Sequence, residues 1–168
     1  MISQKMTDAI NKQINAEMYS AYLYLSMSAW CKDKNLDGFA QWLNVQAREE
    51  MEHAMKFYNY VFEQGGRVKL MPIDGPPTEF ASIKEIANMQ LEHEKKVTSL
   101  ILNLVKIARE EGDVATEIFL QWYVTEQVEE ENNAEEIINK LSMIGEAGHA
   151  LYMLDKEMGQ RQAGAEEE

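Results

Sequence analysis

The three prolines of this 168-residue chain, Pro72, Pro76 and Pro77, lie within a single short stretch. Proline interrupts a helix because it lacks a backbone N–H and its ring clashes with the preceding turn. The chain on either side of this stretch is therefore free to be helical. It is also rich in good helix formers such as Leu, Met, Ala, Glu, Gln and Lys. The sequence predicts an all-α protein.

The length and charge of the chain narrow the class of protein further. Hydrophobic residues make up 45% of the 168 residues, which is typical of one globular domain with a single core. The net charge of −13 argues against nucleic acid or an anionic membrane surface as a partner. It is compatible with the attraction of cations and equally with ordinary solubility.

Cysteine content and apolar runs exclude other classes. The single cysteine, Cys31, rules out an intrachain disulfide framework and a Cys-x-x-Cys module, so we interpret it as an ordinary thiol on a helix. The first residues lack the pattern of a signal peptide, and no apolar run approaches the ~20 residues that span a bilayer. We expect a cytosolic protein without membrane contact.

Glycines and polar turns divide the chain into four long helical segments and a short fifth. Ser82-x-x-Glu85 is typical of a capping box at the start of the third segment, and Asp113 is a candidate N-cap for the fourth. The predicted segments cover approximately residues 3–32, 39–64, 82–111, 114–143 and 146–158. Residues 1–159 are expected to form one domain, and residues 160–168 an acidic, frayed tail.

The connection between the second and third segments is long. Residues 65–81 show no helical pattern and, fully extended, would reach roughly 55 Å. A long helix of about 27 residues measures roughly 40 Å, so the connection can run the length of the bundle. The predicted fold is a four-helix up-down bundle with one long crossover between the second and third helices and a short fifth C-terminal helix, a ferritin-like arrangement.

Each long helix places at least one carboxylate on its apolar stripe, near its middle. Glu17, for example, follows Ile14 by three residues and precedes Ala21 by four, which is helical spacing on one face. The polar residues that fall on the four stripes in this way are Glu17, Glu50, His53, Glu94, Glu126, Gln127 and Glu130.

One such carboxylate could reach water from the edge of a stripe, but four near one level of the bundle are costly unless a cation compensates them. No lysine or arginine lies on these stripes near the glutamates. Glu50-x-x-His53 adds an imidazole on the same helix face as a carboxylate. Oxygen-rich sites with one imidazole favour iron or manganese over structural zinc. The pattern therefore predicts a metal site inside the bundle.

The chain resembles the non-haem ferritins of prokaryotes over residues 1–158. The motifs that carry the resemblance are Glu17 in Asn-Ala-Glu-Met-Tyr, Glu50 and His53 in Arg-Glu-Glu-Met-Glu-His, Glu94 in Leu-Glu-His-Glu-Lys, and Gln127 and Glu130 in Thr-Glu-Gln-Val-Glu-Glu. The resemblance implies that Glu17, Glu50 and His53 hold one iron, and that Glu50, Glu94 and Glu130 hold a second.

The resemblance also implies roles for neighbouring residues. Gln127 would help to place oxygen or a bound water, and Tyr24 would be a redox-active aromatic beside the site. Trp122 is a second candidate aromatic, for which core packing alone is the alternative. Glu49, Glu126 and Glu129, together with Glu130, resemble a third iron site, although a solvated acidic face at residues 129–131 explains the same pattern.

The fourth helix departs from the general di-iron pattern. It offers Gln127-x-x-Glu130 where the pattern has a second Glu-x-x-His. Only the first iron would then receive an imidazole, so the second should be more labile. A bacterioferritin would carry the second histidine. Met51 stands where such a protein binds haem, but methionine is commonly a packing residue, and we expect no haem. We interpret His93 and His149 as structural.

By this resemblance the protein oxidises Fe(II) with O2 or H2O2 as a ferroxidase, and stores the product in a homo-oligomeric shell, a 24-mer. The principal alternative is a di-metal oxidase or peroxidase on the same bundle without storage. A rubrerythrin-like enzyme would need more cysteines, and a manganese catalase a second histidine. A helical cytokine would not explain four inward glutamates, and a miniature ferritin would lack the fifth helix.

Overall fold

A computed structural model describes residues 1–145 and 148–162. Five helices form this part of the chain, and it contains no strand. Their bounds are α1 Gln4–Asp33, α2 Asp37–Glu63, α3 Ile83–Glu111, α4 Val114–Ile144 and α5 Gly148–Met158. The predicted all-α fold with a short fifth helix is confirmed. The predicted start of that helix at Glu146 lies outside the described residues.

The helix ends follow the capping residues of the sequence. Ser82 and Asp113 each accept a hydrogen bond from a backbone N–H of the first turn that follows them. Glu85 completes the predicted capping box one residue earlier than expected, because its carboxylate accepts from the N–H of Ala81. Gly112 ends α3 with φ of 65°, a left-handed conformation that glycine adopts without strain.

Two separate hydrophobic clusters fill the bundle, one towards each end. The first joins the C-terminal half of α1 to the N-terminal halves of α2 and α3, the C-terminal half of α4 and α5. The second joins the opposite halves of the four long helices. Because the C-terminal half of one helix meets the N-terminal half of the next, α1 is antiparallel to α2, and α3 is antiparallel to α4. The N-terminal halves of α2 and α3 lie at the same end, so these two helices are parallel. The predicted up-down topology with one crossover follows.

The crossover runs along α1, fixed to it by polar side chains. Asn11 donates to the carbonyl of Arg67 (3.0 Å) and accepts from the N–H of Lys69 (3.0 Å). Further along, Asn15 donates to the carbonyl of Pro72 (3.0 Å). Near the other end of the helix, Ser26 donates to the carbonyl of Pro77 (2.6 Å). These contacts satisfy backbone groups that no secondary structure pairs.

Helix α5 packs on the N-terminus of α2. Leu36, the N-cap of α2, provides no side-chain hydrogen bond, and Asp155 of α5 accepts from the N–H of Phe39 instead (2.9 Å). Gly38 allows the two backbones to approach each other closely.

The predicted tail, residues 160–168, lies partly outside the described residues, which end at position 162. Within the described part, Arg161 contacts α2. None of the helices in the described residues combines the length and the apolarity that a membrane span requires.

Candidate metal centre

The polar side chains predicted to face inward meet between the two hydrophobic clusters, at mid-height of the bundle. All four long helices contribute, because each carries its carboxylate near its middle. All seven of the side chains named on the stripes are buried: Glu17, Glu50, His53, Glu94, Glu126, Gln127 and Glu130.

Two groups of these side chains could each hold one metal ion. Ligand atoms of Glu17, Glu50 and His53 all lie within 4.8 Å of one another. The same is true of Glu50, Glu94 and Glu130. Glu50 belongs to both groups, so its carboxylate is placed to bridge two cations. These are the two ligand sets that the sequence resemblance implied; their binding of metal stays a prediction.

Unpaired carboxylate oxygens at the centre fit a pair of cations. Within the described residues, Glu17 Oε2 and Glu50 Oε1 are buried without a hydrogen-bond partner. A buried charged oxygen left in this way costs several kcal/mol. His53 Nδ1 lies 3.6 Å from Glu50 Oε2. The set of hard oxygen donors with one imidazole suits iron, and a cation at each group would satisfy the orphaned atoms.

Burial raises the pKa of each of the four glutamates in the two ligand groups. It raises the pKa of Glu17, although His53 and a hydrogen bond from Gln13 oppose the change. For Glu50 and Glu130, repulsion from Glu94 adds to burial and takes the pKa well above its usual value. The pKa of Glu94 itself rises to about 7. The centre therefore retains protons until a cation replaces them.

Neutral side chains orient the carboxylates from outside the two groups. Gln13 Nε2 donates to Glu17 (2.7 Å), and Gln46 Nε2 donates to Glu130. Sequence analysis missed Gln13 as a site residue, although its position four residues before Glu17 could have indicated it.

Glu94 receives two of these supporting hydrogen bonds. The phenol of Tyr24 donates to one carboxylate oxygen, and Gln127 Nε2 donates to the other at 3.2 Å. Burial and the charge of Glu94 raise the pKa of Tyr24 well above its usual value, so its phenol keeps its proton. Tyr24 and Gln127 thus lie beside the second group, and their roles in oxidation stay predictions.

Aromatic rings cover His53. Its ring lies edge-on to those of Trp122 (centroids 5.3 Å apart) and Tyr123 (6.2 Å), and the Tyr123 hydroxyl donates to the His53 carbonyl (2.8 Å). Trp122 retains 37% of its surface exposed, and a role for it beyond packing stays a prediction. The ammonium of Lys56 lies 3.3 Å from the Trp122 ring centroid. The tryptophan therefore contacts both the His53 ring and the Lys56 ammonium.

The structure does not gather the predicted third site into a compact group. Glu49 and Glu126 are buried, whereas Glu129 is exposed. Glu126 Oε1 lies 3.9 Å from His53 Nε2. Among the described residues, the groups with ligand atoms mutually within 4.8 Å do not include Glu49, Glu126 or Glu129. The third site stays a prediction.

Arg161 lies beside Glu49, and no feature of the sequence indicated this. Its guanidinium donates to Glu49 Oε2 at 2.5 Å. The cation comes from beyond α5 and not from any of the four apolar stripes. Helical periodicity carries no information about where a chain end folds back.

The remaining predicted residues lie away from the two groups. His93 is held by a hydrogen bond to Ser20 Oγ (2.7 Å), and burial lowers its pKa to about 4, as suits a structural, neutral imidazole. His149 lies on α5, outside the four-helix core. Met51 is 42% exposed, and the absence of haem stays a prediction.

The fold is a four-helix bundle with one long crossover, and its two groups of candidate ligands share one glutamate. This combination defines the class of carboxylate-rich di-metal proteins. The family model described as "Ferritin-like domain" matches residues 7–144. The chain belongs to the ferritin-like family.

Named relatives agree with this assignment over nearly the whole chain. A probable bacterial non-heme ferritin-like protein of Haemophilus influenzae is 43% identical over 159 residues, which cover 95% of this chain and 96% of the relative. A bacterial non-heme ferritin of Staphylococcus aureus is 40% identical over 161 residues, covering 96% and 97%. The structure of an open-pore ferritin from the archaeon Archaeoglobus fulgidus is 52% identical, with a TM-score of 0.95 and coverage of 96% and 99%.

Proposed function

We propose that this protein is a ferroxidase that stores iron. It binds Fe(II) at the two groups, oxidises it to Fe(III) with O2 or H2O2, and holds the ferric mineral in an oligomeric shell. The observation that carries the proposal is the sharing of Glu50 between two buried ligand sets, in which Glu17 Oε2 and Glu50 Oε1 have no hydrogen-bond partner.

The chemistry needs two electrons and no organic cofactor. Each of two Fe(II) ions gives up one electron, and these two electrons, with two protons, reduce O2 to H2O2 or H2O2 to two waters. The glutamates neutralise the charge of the ions and hold them side by side on Glu50. Three carboxylates hold the second ion without an imidazole, so its product leaves more readily for storage.

Residues around the groups assist this reaction. Tyr24 and Gln127 both bind Glu94, so they fix the orientation of a ligand to the second ion. The Tyr24 phenol contacts Glu94, so this ring would be the redox-active aromatic beside the second ion. Glu49, Glu126 and Glu129 would hold a third iron that leaves or enters by way of Glu130.

Storage requires a hollow assembly, because one bundle encloses no cavity large enough for mineral. The proposed shell is a homo-oligomer, a 24-mer. Exposed apolar side chains on α1, α2 and the crossover support association of this face with another copy: Tyr22, Leu25, Met51, Met55, Phe62, Leu70, Met71 and Ile73. Relatives named ferritins at 40–43% identity support the same proposal.

Aerobic loading with Fe(II) tests storage and oxidation together. Fe(II) is added in large excess over two ions per chain, and iron and protein are then followed together by size-exclusion chromatography. Co-elution of hundreds of irons with a large assembly is the expected result. Turnover that stops at two ions per chain, or a small oligomer, would favour a di-metal oxidase or peroxidase without storage.

Substitution of the shared glutamate tests the site itself. Glu50→Ala removes a ligand from both groups, so the fast initial phase of Fe(II) oxidation should disappear. Glu52→Ala is the matched control, because Glu52 is an exposed glutamate on the same helix. An unchanged initial rate in the Glu50 variant would refute the assignment of these groups as the ferroxidase centre.

A further inference from the structure

The segment after α5 carries a cation into the neighbourhood of the metal centre. Arg161 donates one hydrogen bond to Gln46 Oε1 (2.6 Å) and another to Glu49 Oε2 (2.5 Å), and these two residues lie one turn apart on α2. Its guanidinium also lies 4.8 Å from the ring centroid of Trp42. Only 18% of the Arg161 side chain is exposed. These contacts fix the guanidinium in one place.

Gln46 connects Arg161 to the second ligand group. An amide side chain has one acceptor oxygen and one donor nitrogen, so a donor that binds the oxygen decides which way the nitrogen points. Arg161 binds Gln46 Oε1, and Gln46 Nε2 donates to Glu130 Oε2. Arg161 is thus two hydrogen bonds from a carboxylate predicted to hold metal.

The cavity beside Arg161 is acidic. It has a volume of about 370 Å³, and the ionisable side chains that line it are Glu49, Glu129, Glu136, Lys140, Glu157 and Arg161. Lys140 lies 2.9 Å from Glu136 and 2.5 Å from Glu157. Lys140 is thus paired with other carboxylates, whereas Arg161 pairs with Glu49.

We propose that Arg161 is a positioning residue that takes the place of a metal ion at Glu49 in the metal-free protein. A divalent cation binds at Glu49 only after the guanidinium moves away, and this movement also releases the amide oxygen of Gln46, so that the Gln46 side chain is free to turn away from Glu130. Arg161 follows the last turn of α5, so its movement breaks no helix. The inference rests on the proposed function, since it requires cation binding at the two groups.

Calorimetric titration with Zn(II) tests the competition without redox chemistry. The full-length chain should bind two ions tightly and a third weakly. In Arg161→Gln the third ion should bind about tenfold more tightly or better, because it no longer displaces a charge-assisted pair. Arg161→Lys keeps the charge but loses the paired donors. Its affinity for the third ion should therefore lie between those of the unmodified chain and Arg161→Gln. Lys140→Gln, in the same cavity, is the matched control and should behave as the unmodified chain.

Tryptophan fluorescence gives a second readout that a purely structural arginine would not change. In the unmodified chain, emission should change as the third ion binds, since the guanidinium leaves the Trp42 ring. Arg161→Gln should lack this step. Trp42→Phe should lack it as well while still binding the third ion.

The outcomes separate the inference from the proposed function. Two tight ions with an unchanged or weaker third ion in Arg161→Gln would overturn the role of Arg161 and leave the ferroxidase proposal standing. A third ion as tight as the first two in the unmodified chain would also overturn it. If the unmodified chain bound no Zn(II) tightly, that result would instead refute the assignment of the two groups as a metal centre. If Arg161→Gln fails to fold, Arg161→Lys carries the same comparison.

Discussion

The phenol of Tyr24 on α1 donates a hydrogen bond to the Glu94 carboxylate on α3, at the middle of the bundle. This bond joins helices that lie in different antiparallel pairs. It also opposes the effect of burial on Glu94, because a donor to the carboxylate favours its ionised form and lowers its pKa. The tyrosine therefore prepares Glu94 to bind a cation.

Removal of the Tyr24 hydroxyl should weaken metal binding. In Tyr24→Phe the pKa of Glu94 rises above about 7, so more of the carboxyl is protonated at neutral pH. Zn(II) affinity at the second group should fall by roughly tenfold or less, the equivalent of about one pKa unit. Titration calorimetry measures this change. Tyr22→Phe is the control, since Tyr22 is exposed on the same helix. Equal affinity in the two variants would contradict the role of the hydrogen bond.

Metal binding should depend steeply on pH. Because the pKa of Glu94 is raised to about 7 and those of Glu50 and Glu130 are raised as well, a cation must displace protons from the centre. Zn(II) affinity should fall as the pH is lowered from about 8 to about 6, with release of protons on binding. Calorimetry in buffers of different ionisation enthalpy counts these protons. Affinity independent of pH would show that the carboxyls are already ionised.

The same raised pKa values determine how pH affects the stability of the metal-free protein. The folded chain binds more protons at Glu94 than the unfolded chain between the usual pKa of 4.5 and about 7. Its stability should therefore decrease as the pH rises through this window. Thermal unfolding at several pH values measures the slope. Glu94→Gln should reduce the slope, and saturating Zn(II) should reverse it; a slope unchanged by either would contradict the assignment.

Gly38 should be essential for docking of α5. A Cβ atom at this position would lie 1.5 Å from the backbone carbonyl oxygen of Asp155, so Gly38→Ala must push α5 away from α2. We expect a loss of about 1–3 kcal/mol, measured by urea unfolding at fixed protein concentration. Gly75→Ala is the matched control, because no described atom lies within 4 Å of its added Cβ. Similar stability of the two variants would show that α5 contributes little.

Cys31 should be unreactive while the protein is folded. The thiol is fully buried, and burial followed by the charge of Asp155 raises its pKa to about 12. Thiol titration with a disulfide reagent at about pH 8 should give no signal until urea is added, since the thiolate is the reactive form. Above the usual pKa of 9.0, the thiol ionises in the unfolded chain but not in the folded one, so rising pH destabilises the unmodified protein. The free energy of unfolding of Cys31→Ala should fall less over the same rise in pH. Rapid reaction of the folded chain would reveal opening of α1.

Local sequence signals were sufficient for the helices and for the set of inward carboxylates. Helical periodicity placed Glu17, Glu50 and Glu94 on the apolar stripes, and all three are buried. Helical spacing does not distinguish the centre of a stripe from its edge, and the ring of Trp122 on α4 is partly exposed. The sequence did not indicate Arg161, because its contacts join residues more than a hundred positions apart.

The sequence alone determined the number of helices, the long crossover and the identity of the residues available to bind metal, because capping, proline exclusion and apolar spacing act within a few residues. Only the tertiary structure decided which carboxylates share a cation, since Glu50 enters both groups through the packing of α2 against the other helices. It also decided that Asp155 caps α2 and that Arg161 reaches Glu49. Such contacts depend on how the helices pack and on where the C-terminal segment folds back. Local sequence patterns do not encode them, because the residues in contact are far apart in the chain.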